Sequence, residues 1–237
     1  MNTVFPEAEP ELSALSPVGP RRSAADIAYA RLREALISLA LPPGSVVSRL
    51  AIAQRLGISQ TPVREALIRL QDEHLIEVVP QSATRVSRID LNHAREAHFL
   101  RLALEVEVVR RLARAPAPEL GEALREELRR MRAVLADSDR ATFAEADEAF
   151  HLALFSAARV PRLRELVRSR GGHLDRLRRL HLPEPGKTEA VLQQHEALAA
   201  AILAADVAGA EAALRAHLSG TFAEAERLRA ANPAFFA

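Results

Sequence analysis

The sequence predicts a mainly α protein in two parts: a small N-terminal helical module closed by a β-hairpin, then an antiparallel all-α bundle of about six helices. Three observations carry this reading. Ala, Leu, Arg and Glu crowd the 237 residues, while aromatic residues make up only 4% and Gly contributes nine, a bias toward side chains that lose little entropy in a helix. The strand-like stretches are confined to residues 76–88. From Leu91 onward every segment repeats its apolar residues at helical period.

Composition narrows the function classes. The chain is long enough for one large or two modest domains with a real core. It has no cysteine, which excludes disulfide scaffolds, thiolate zinc sites, iron–sulfur clusters and thiol nucleophiles, so any metal must be held by His and carboxylate. The formal charge is +1, so a nucleic-acid surface must be local: residues 1–20 carry −3, residues 21–90 carry +3 and residues 91–237 carry +1. The first twenty residues hold three Glu, four Pro and no basic residue, the opposite of a secretion signal, and residues 1–22 are expected to form a disordered tail. The most apolar run, residues 197–205, is too short to span a bilayer, so a cytoplasmic protein with no membrane partner is expected. Lys187 is the single lysine against 31 arginines, a skew attributed to codon bias rather than to function.

Residues 23–90 read as the first domain. Residues 24–41 form a helix with Ile27, Leu32, Leu36 and Leu39 inward, stopped by Pro42-Pro43-Gly44. Ser48 caps a second helix that runs to Arg55 and ends at Gly57, and Ser59 or Thr61 caps a third, with Pro62 tolerated in its first turn. After Leu70 the pattern changes to Ile76-Glu77-Val78-Val79-Pro80 and Thr84-Arg85-Val86-Ser87-Arg88, two β-biased stretches around a polar turn. Two short helices joined by a tight turn with Gly, followed by a hairpin, make a winged helix-turn-helix.

In such a module the second helix of the pair enters the major groove, and here it presents Ser59, Gln60, Thr61 and Arg64. Arg64 can bridge O6 and N7 of guanine, Gln60 can pair with adenine, and Ser59 and Thr61 suit phosphate oxygens. Thr84 and Arg85 of the wing can reach the DNA backbone or minor groove. The blander alternatives are solvated side chains on an amphipathic helix and a winged helix that binds protein.

Residues 91–232 read as the helical bundle. Its stripes are Phe99, Leu102, Val106 and Val109; Leu124, Leu128, Met131 and Leu135; Phe143, Phe150 and Leu154; Leu166, Leu174 and Leu177; Leu192, Leu198 and Ile202; and Leu214, Leu218 and Phe222. Breaks are expected at Pro116-Ala117-Pro118, Ser138-Asp139, Pro161, Pro183-Glu184-Pro185-Gly186 and Asp206-Val207-Ala208-Gly209. Four polar residues interrupt the apolar faces. Asp147 and His151 stand at i, i+4, His195 lies among Leu192, Ala199 and Ile202, and His217 follows Leu214 by three. A buried carboxylate and three imidazoles are costly unless paired, and one divalent cation such as zinc, nickel or manganese would satisfy them together. Taken singly, the pair also reads as a helix salt bridge and each His as a core residue. A site of three imidazoles and one carboxylate could also activate water, as in a metal-dependent enzyme, although the bundle offers no evident general base beyond the ligands and the winged helix would have no role, and a helical interaction module without ligand is a third possibility.

The run Leu56-Gly57-Ile58-Ser59-Gln60-Thr61-Pro62-Val63-Arg64-Glu65-Ala66-Leu67-Ile68-Arg69-Leu70 resembles the signature of the GntR family of bacterial transcription regulators, with departures at Leu50, Gln60 and Ser82-Ala83 that bear on the operator sequence. Asp147-Glu148-Ala149-Phe150-His151, then His195, then Leu214-Arg215-Ala216-His217-Leu218 are similar to the FCD ligand-binding domain of the FadR-type subfamily. The resemblance implies that Asp147, His151, His195 and His217 hold a divalent metal ion. It also implies that Arg101, in the segment Arg101-Leu102-Ala103-Leu104-Glu105, pairs with an effector carboxylate. An ordinary salt bridge with Glu105 is the competing reading. His173, on a face with Leu166 and Leu177, is placed in the same cavity or in the core. The count of six helices suggests an organic-acid-sensing branch. The expected protein is a homodimeric, effector-responsive repressor that binds palindromic operator DNA and is not an enzyme.

Overall fold

The computed structural model describes residues 23–79, 83–136 and 140–237. The expected tail, Pro80 and Ser82 of the wing turn, and the break at Ser138-Asp139 lie outside them. Helix α1 (Ala24–Ile37) starts in a capping box in which the Ser23 hydroxyl accepts from the Asp26 amide and the Asp26 carboxylate accepts from the Ser23 amide. It stops four residues before the expected end, because Leu39 takes a left-handed φ of 64°. Strand β1 (Val46–Val47) follows, a two-residue element too short for any alternation to announce. Helix α2 (Arg49–Leu56) is capped by Ser48 and closed by Gly57 at φ 67°, a conformation that glycine adopts without strain. Helix α3 (Gln60–Asp72) follows the N-cap Ser59, and strands β2 (Ile76–Val79) and β3 (Ala83–Val86) form the wing. The antiparallel sheet has the order β1-β3-β2, with Val46 opposite Arg85 and Ile76 opposite Val86.

Leu32 and Leu36 of α1 meet Val63, Ala66, Leu67 and Leu70 of α3 in one core, completed by Leu75 and Val86. Ile27 is instead 49% exposed and Ala28 takes the inward place.

The second part comprises α4 (Leu91–Arg114), α5 (Pro118–Ala136), α6 (Arg140–Ala157), α7 (Pro161–Arg170), α8 (Gly172–His181), α9 (Lys187–Leu203), α10 (Val207–Phe222) and α11 (Ala225–Ala231). The expected count of six becomes eight helices among the described residues, and the branch assignment drawn from that count loses its basis. The stripe Leu166–Leu174–Leu177 is broken at Gly171, which ends α7 and precedes α8, and the turn at Ala223 and Glu224 starts α11. Helix α4 packs on α10 and α8, α10 on α9, and α5 on α6 and α9, around Leu124, Met131, Phe150, Leu154, Leu198 and Leu214. Two expected core positions face outward: Phe99 is 73% and Leu166 is 43% exposed. The period alone assigns a helix face, and a neighbour must be present to cover it.

The two parts are joined through α8. Arg176, fully buried, donates from Nη1 to the Ser87 carbonyl at 2.6 Å, and the His173 ring sits between the Asp90 amide (2.9 Å) and the His74 carbonyl (3.1 Å). Arg33 of α1 bonds Glu73 through Nε at 2.8 Å and the Arg168 carbonyl through Nη2 at 2.6 Å. Leu75 lies so close to Gly172 that a Cβ there would come within 2.7 Å of its Cδ2. The chain end adds a clasp: Ile89 donates to the Phe235 carbonyl, Ala237 donates back to Ile89, and Phe236 is buried.

Candidate metal centre

The i, i+4 spacing on α6 stacks Asp147 and His151 on one face, and α9 and α10 bring His195 and His217 against it. The four residues are 2%, 0%, 0% and 8% exposed, and one ligand atom from each lies within 4.8 Å of all the others.

Each imidazole has an oxygen close to Nδ1: His195 lies 2.8 Å from the Val191 carbonyl and His217 lies 3.2 Å from Gln194 Oε1, both as hydrogen bonds, while His151 lies 2.8 Å from Glu105 Oε2 in an ion-pair contact without hydrogen-bond alignment. An oxygen at Nδ1 holds the proton there and leaves Nε2 as a lone pair, the tautomer a metal requires. The Nε2 atoms of His151 and His217 are 3.2 Å apart, and His195 Nε2 is 3.4 Å from Asp147 Oδ1. Bonds of about 2.05–2.1 Å to one ion would place neighbouring donors about 3.0 Å apart in an octahedron or about 3.3 Å in a tetrahedron. His195 Nε2, Asp147 Oδ1 and His151 Nδ1 are buried polar atoms with no hydrogen-bond partner, and with the Nδ1 protonated on His151 and His217 their Nε2 lone pairs would oppose each other across 3.2 Å. A cation among these atoms removes both costs, so the residues fit a divalent metal ion.

The electrostatics favour ligands in their metal-ready states. Burial pushes His151 down to about 4 against the pull of Glu105, and burial followed by its neighbours His195 and His151 holds His217 well below the usual imidazole range. Burial lowers His195 as well, against Asp147. Burial by itself would raise the Asp147 carboxyl, but Arg178 and the three imidazoles outweigh it and keep the group ionised. Arg178 bonds the second carboxylate oxygen, Oδ2, leaving Oδ1 toward the imidazoles.

Behind the ligands stands Glu105, 1% exposed, which also accepts from Arg101 Nε at 2.7 Å and Arg164 Nη1 at 3.2 Å. The salt-bridge reading of Arg101 is therefore realised, yet its Nη2 remains buried and unpartnered. Glu105 was legible as a partner for Arg101. Its contact with His151, and the parts of Val191, Gln194, Arg164 and Arg178, had no signal in the sequence because each depends on which helices are neighbours. A cavity of about 500 Å3 reaches Asp147 and Arg178 and extends to Arg33, Glu34 and Ile37 of α1.

His173 is a correction. It does not line this cavity but serves the junction with the first domain, because Gly171 turns α8 so that the ring meets Asp90 and His74. Burial, then Arg176, pushes it down to about 3. It is neutral in the fold and protonated in the unfolded chain at intermediate pH, so its contribution to stability is complete above about 6.5 and is lost as pH falls toward 3. Urea melts of metal-loaded protein at pH 7 and pH 5 are expected to differ by about 2 kcal/mol through this residue, and His173→Gln should remove that share. Equal pH dependence in the variant would contradict the assignment.

At the other site, Ser59, Gln60, Thr61 and Arg64 are all exposed along the start of α3, opposite Val63, Ala66, Leu67 and Leu70. The Ser59 hydroxyl makes no capping bond, so it and the first amides of α3 face outward. Arg64 has no ion pair among the described residues. Thr84 is half-buried in β3, and Arg85 bonds the Gly44 carbonyl at 2.7 Å, which ties the wing to the turn before β1.

Residues 24–86 match the bacterial regulatory proteins of the gntR family, and residues 96–220 match the FCD domain. The chain belongs to the GntR family of transcriptional regulators. It is 37% identical over 209 residues to an HTH-type transcriptional regulator in an unstable DNA locus of Streptomyces ambofaciens, covering 88% of each chain. It is 27% identical to the HTH-type transcriptional repressor RspR of Escherichia coli, over 88% of this chain and 91% of that one. The fold is shared with E. coli McbR/YncC at a TM-score of 0.75 and 24% identity, covering 86% of this GntR regulator and 98% of its neighbour. The family and these relatives are regulators, so the reading as a metal-dependent enzyme falls. The buried Asp147–His151–His195–His217 group of this FCD domain is able to hold a metal ion. No helix among the described residues is long and apolar enough to cross a membrane.

Proposed function

We propose that this GntR regulator is a cytoplasmic repressor that binds palindromic operator DNA as a homodimer and is released by a small organic acid held at a metal ion in its FCD domain. One observation carries the reading: three buried imidazoles and Asp147 bring one ligand atom each within 4.8 Å of one another beside a cavity that touches both domains. The metal, zinc, nickel or manganese, would take a carboxylate oxygen of the effector in an open coordination position, with Arg101 nearby. Helix α8 carries Arg178 on Asp147 and, two and five residues earlier, Arg176 and His173 on the first domain. An acid that prefers one setting of α8 therefore changes how α3 is presented, and equal affinity for both settings would shift nothing.

On DNA, Ser59, Gln60, Thr61 and Arg64 would enter the major groove, and Thr84 and Arg85 of the wing would flank it. A two-fold dimer matches a palindromic site, and Phe99, exposed on α4, offers apolar surface for a second copy to cover.

The test is binding of the metal-loaded protein to its own upstream promoter DNA, with salt and carboxylic acids varied. Affinity should fall steeply with salt, and at least one acid should weaken it. Arg64→Ala should cost about 5- to 150-fold on the specific site and little on random DNA. Binding that is indifferent to sequence, or an Arg64→Ala protein that discriminates as well as the wild type, would refute the assignment of α3.

A further inference from the structure

A small pocket of about 20 Å3 lies against His217, and among its lining residues the charged groups are Arg101, Arg178 and Lys187, beside the neutral imidazoles of His98 and His217, with no carboxylate. Their states differ. Arg178 is neutralised by Asp147 and Asp175. Arg101, 4% exposed, uses Nε on Glu105 and leaves Nη2 buried without a partner. His98, stacked on Phe222 with ring centroids 5.3 Å apart, leaves a buried Nδ1 unpartnered. Lys187 begins α9 behind the left-handed Gly186, and its half-buried ammonium makes no hydrogen bond or ion pair among the described residues. Gly220 of α10 faces it, and a Cβ there would lie 3.4 Å from Nζ. The cavity shares Arg178, Lys187, Val191 and Thr221 with the larger one that reaches Asp147.

A buried guanidinium donor without an acceptor is costly, and the ammonium lining the same pocket adds a second positive charge, faced by Glu184 and Glu224, which are themselves ion-paired with Arg227. Asp147 offsets a single charge of a divalent ion, so the metal adds to this imbalance. We propose that Lys187 and the free Nη2 of Arg101 form a second anion subsite beside the metal centre, so that the effector carries two anionic groups, as a dicarboxylate or a phosphorylated carboxylic acid. The inference rests on the metal-assisted carboxylate reading above: one group meets the metal, the other meets Lys187 and Arg101. A charge-assisted contact of this kind discriminates by about 10- to 100-fold against a ligand that lacks the group.

The full-length, metal-loaded protein is titrated calorimetrically with matched pairs: propionate and malonate, butyrate and succinate, valerate and glutarate, glycolate and phosphoglycolate. At least one dianion should bind 10-fold or more tighter than its partner, and Lys187→Met should bring that ratio toward one while Lys187→Arg retains most of it. A preference confined to phosphoglycolate identifies the second group as phosphate, and one among the diacids identifies it as carboxylate. Because Lys187 is the single lysine, reductive 13C-methylation places one side-chain probe in the chain, and its resonance should move with the dianion and not with the monoacid. Equal affinities within every pair, or a ratio unchanged in Lys187→Met, overturn the subsite and leave the metal-assisted carboxylate reading standing. Failure of every acid to bind overturns both.

Discussion

Protein stripped by chelator and reloaded with one equivalent of a divalent metal is expected to unfold roughly 8–16 °C higher than the stripped form, and His151→Ala is expected to lose both the metal and the gain. A ligand that binds only the folded state stabilises it by about 4 kcal/mol at a free concentration a thousand times its Kd, and a chain of this size gains about 2–4 °C per kcal/mol. The effect follows from the geometry. The four donors come from α6, α9 and α10, so they are dispersed in the unfolded chain and converge only in the native bundle. His151 is the donor whose Nε2 lies 3.2 Å from that of His217 and whose Nδ1 rests on Glu105, so its loss removes a ligand and the connection to Glu105 together. Elemental analysis of both proteins beside their melting curves decides the matter. A wild type without metal, or a variant that keeps a full equivalent, would refute the site.

Replacing Glu105 is expected to have the second large effect. Its carboxylate is fully buried and is contacted by Arg101, Arg164 and His151. Burial would raise this acid, yet the two guanidiniums and the imidazole together hold it well below its ordinary value. Deleting one partner of a buried ionic cluster leaves the others desolvated and unmatched, so Glu105→Ala should lose about 3–5 kcal/mol in urea unfolding. Glu105→Gln keeps an acceptor for the His151 Nδ1 proton and removes the charge. It should lower metal affinity by about 10- to 100-fold with a smaller loss of stability. A Glu105→Ala protein within about 1 kcal/mol of the wild type would show that the cluster carries no net stabilisation.

Much of the first domain was legible because its signals are local. Ser23, Ser48 and Gly57 cap or close helices through their own backbone chemistry, and the face Val63–Ala66–Leu67–Leu70 follows from period alone. Strand β1 escaped because two residues show no alternation, and α1 ended early because Leu39 turns left-handed. In the bundle, Gly171 splits a stripe that period alone reads as one helix, and this sends His173 to the domain junction rather than to the cavity. Phe99 and Ile27 lie on apolar faces that no described neighbour covers.

The sequence by itself determined the helical class, the capped segments and the exposed polar start of α3, because each depends on residue type and on spacing within one element, and it singled out Asp147, His151, His195 and His217, which the fold buries together. The tertiary structure decided which oxygen lies at each Nδ1, that Glu105 contacts His151 as well as two arginines, that α8 links Asp147 to the first domain, and that Lys187 has no ion pair and the Nη2 of Arg101 no acceptor beside the candidate metal centre. Those facts are relations between helices far apart in the chain. They arise only when side chains of different elements share one volume, where burial sets the cost of every unpaired charge and so selects the partners that remain.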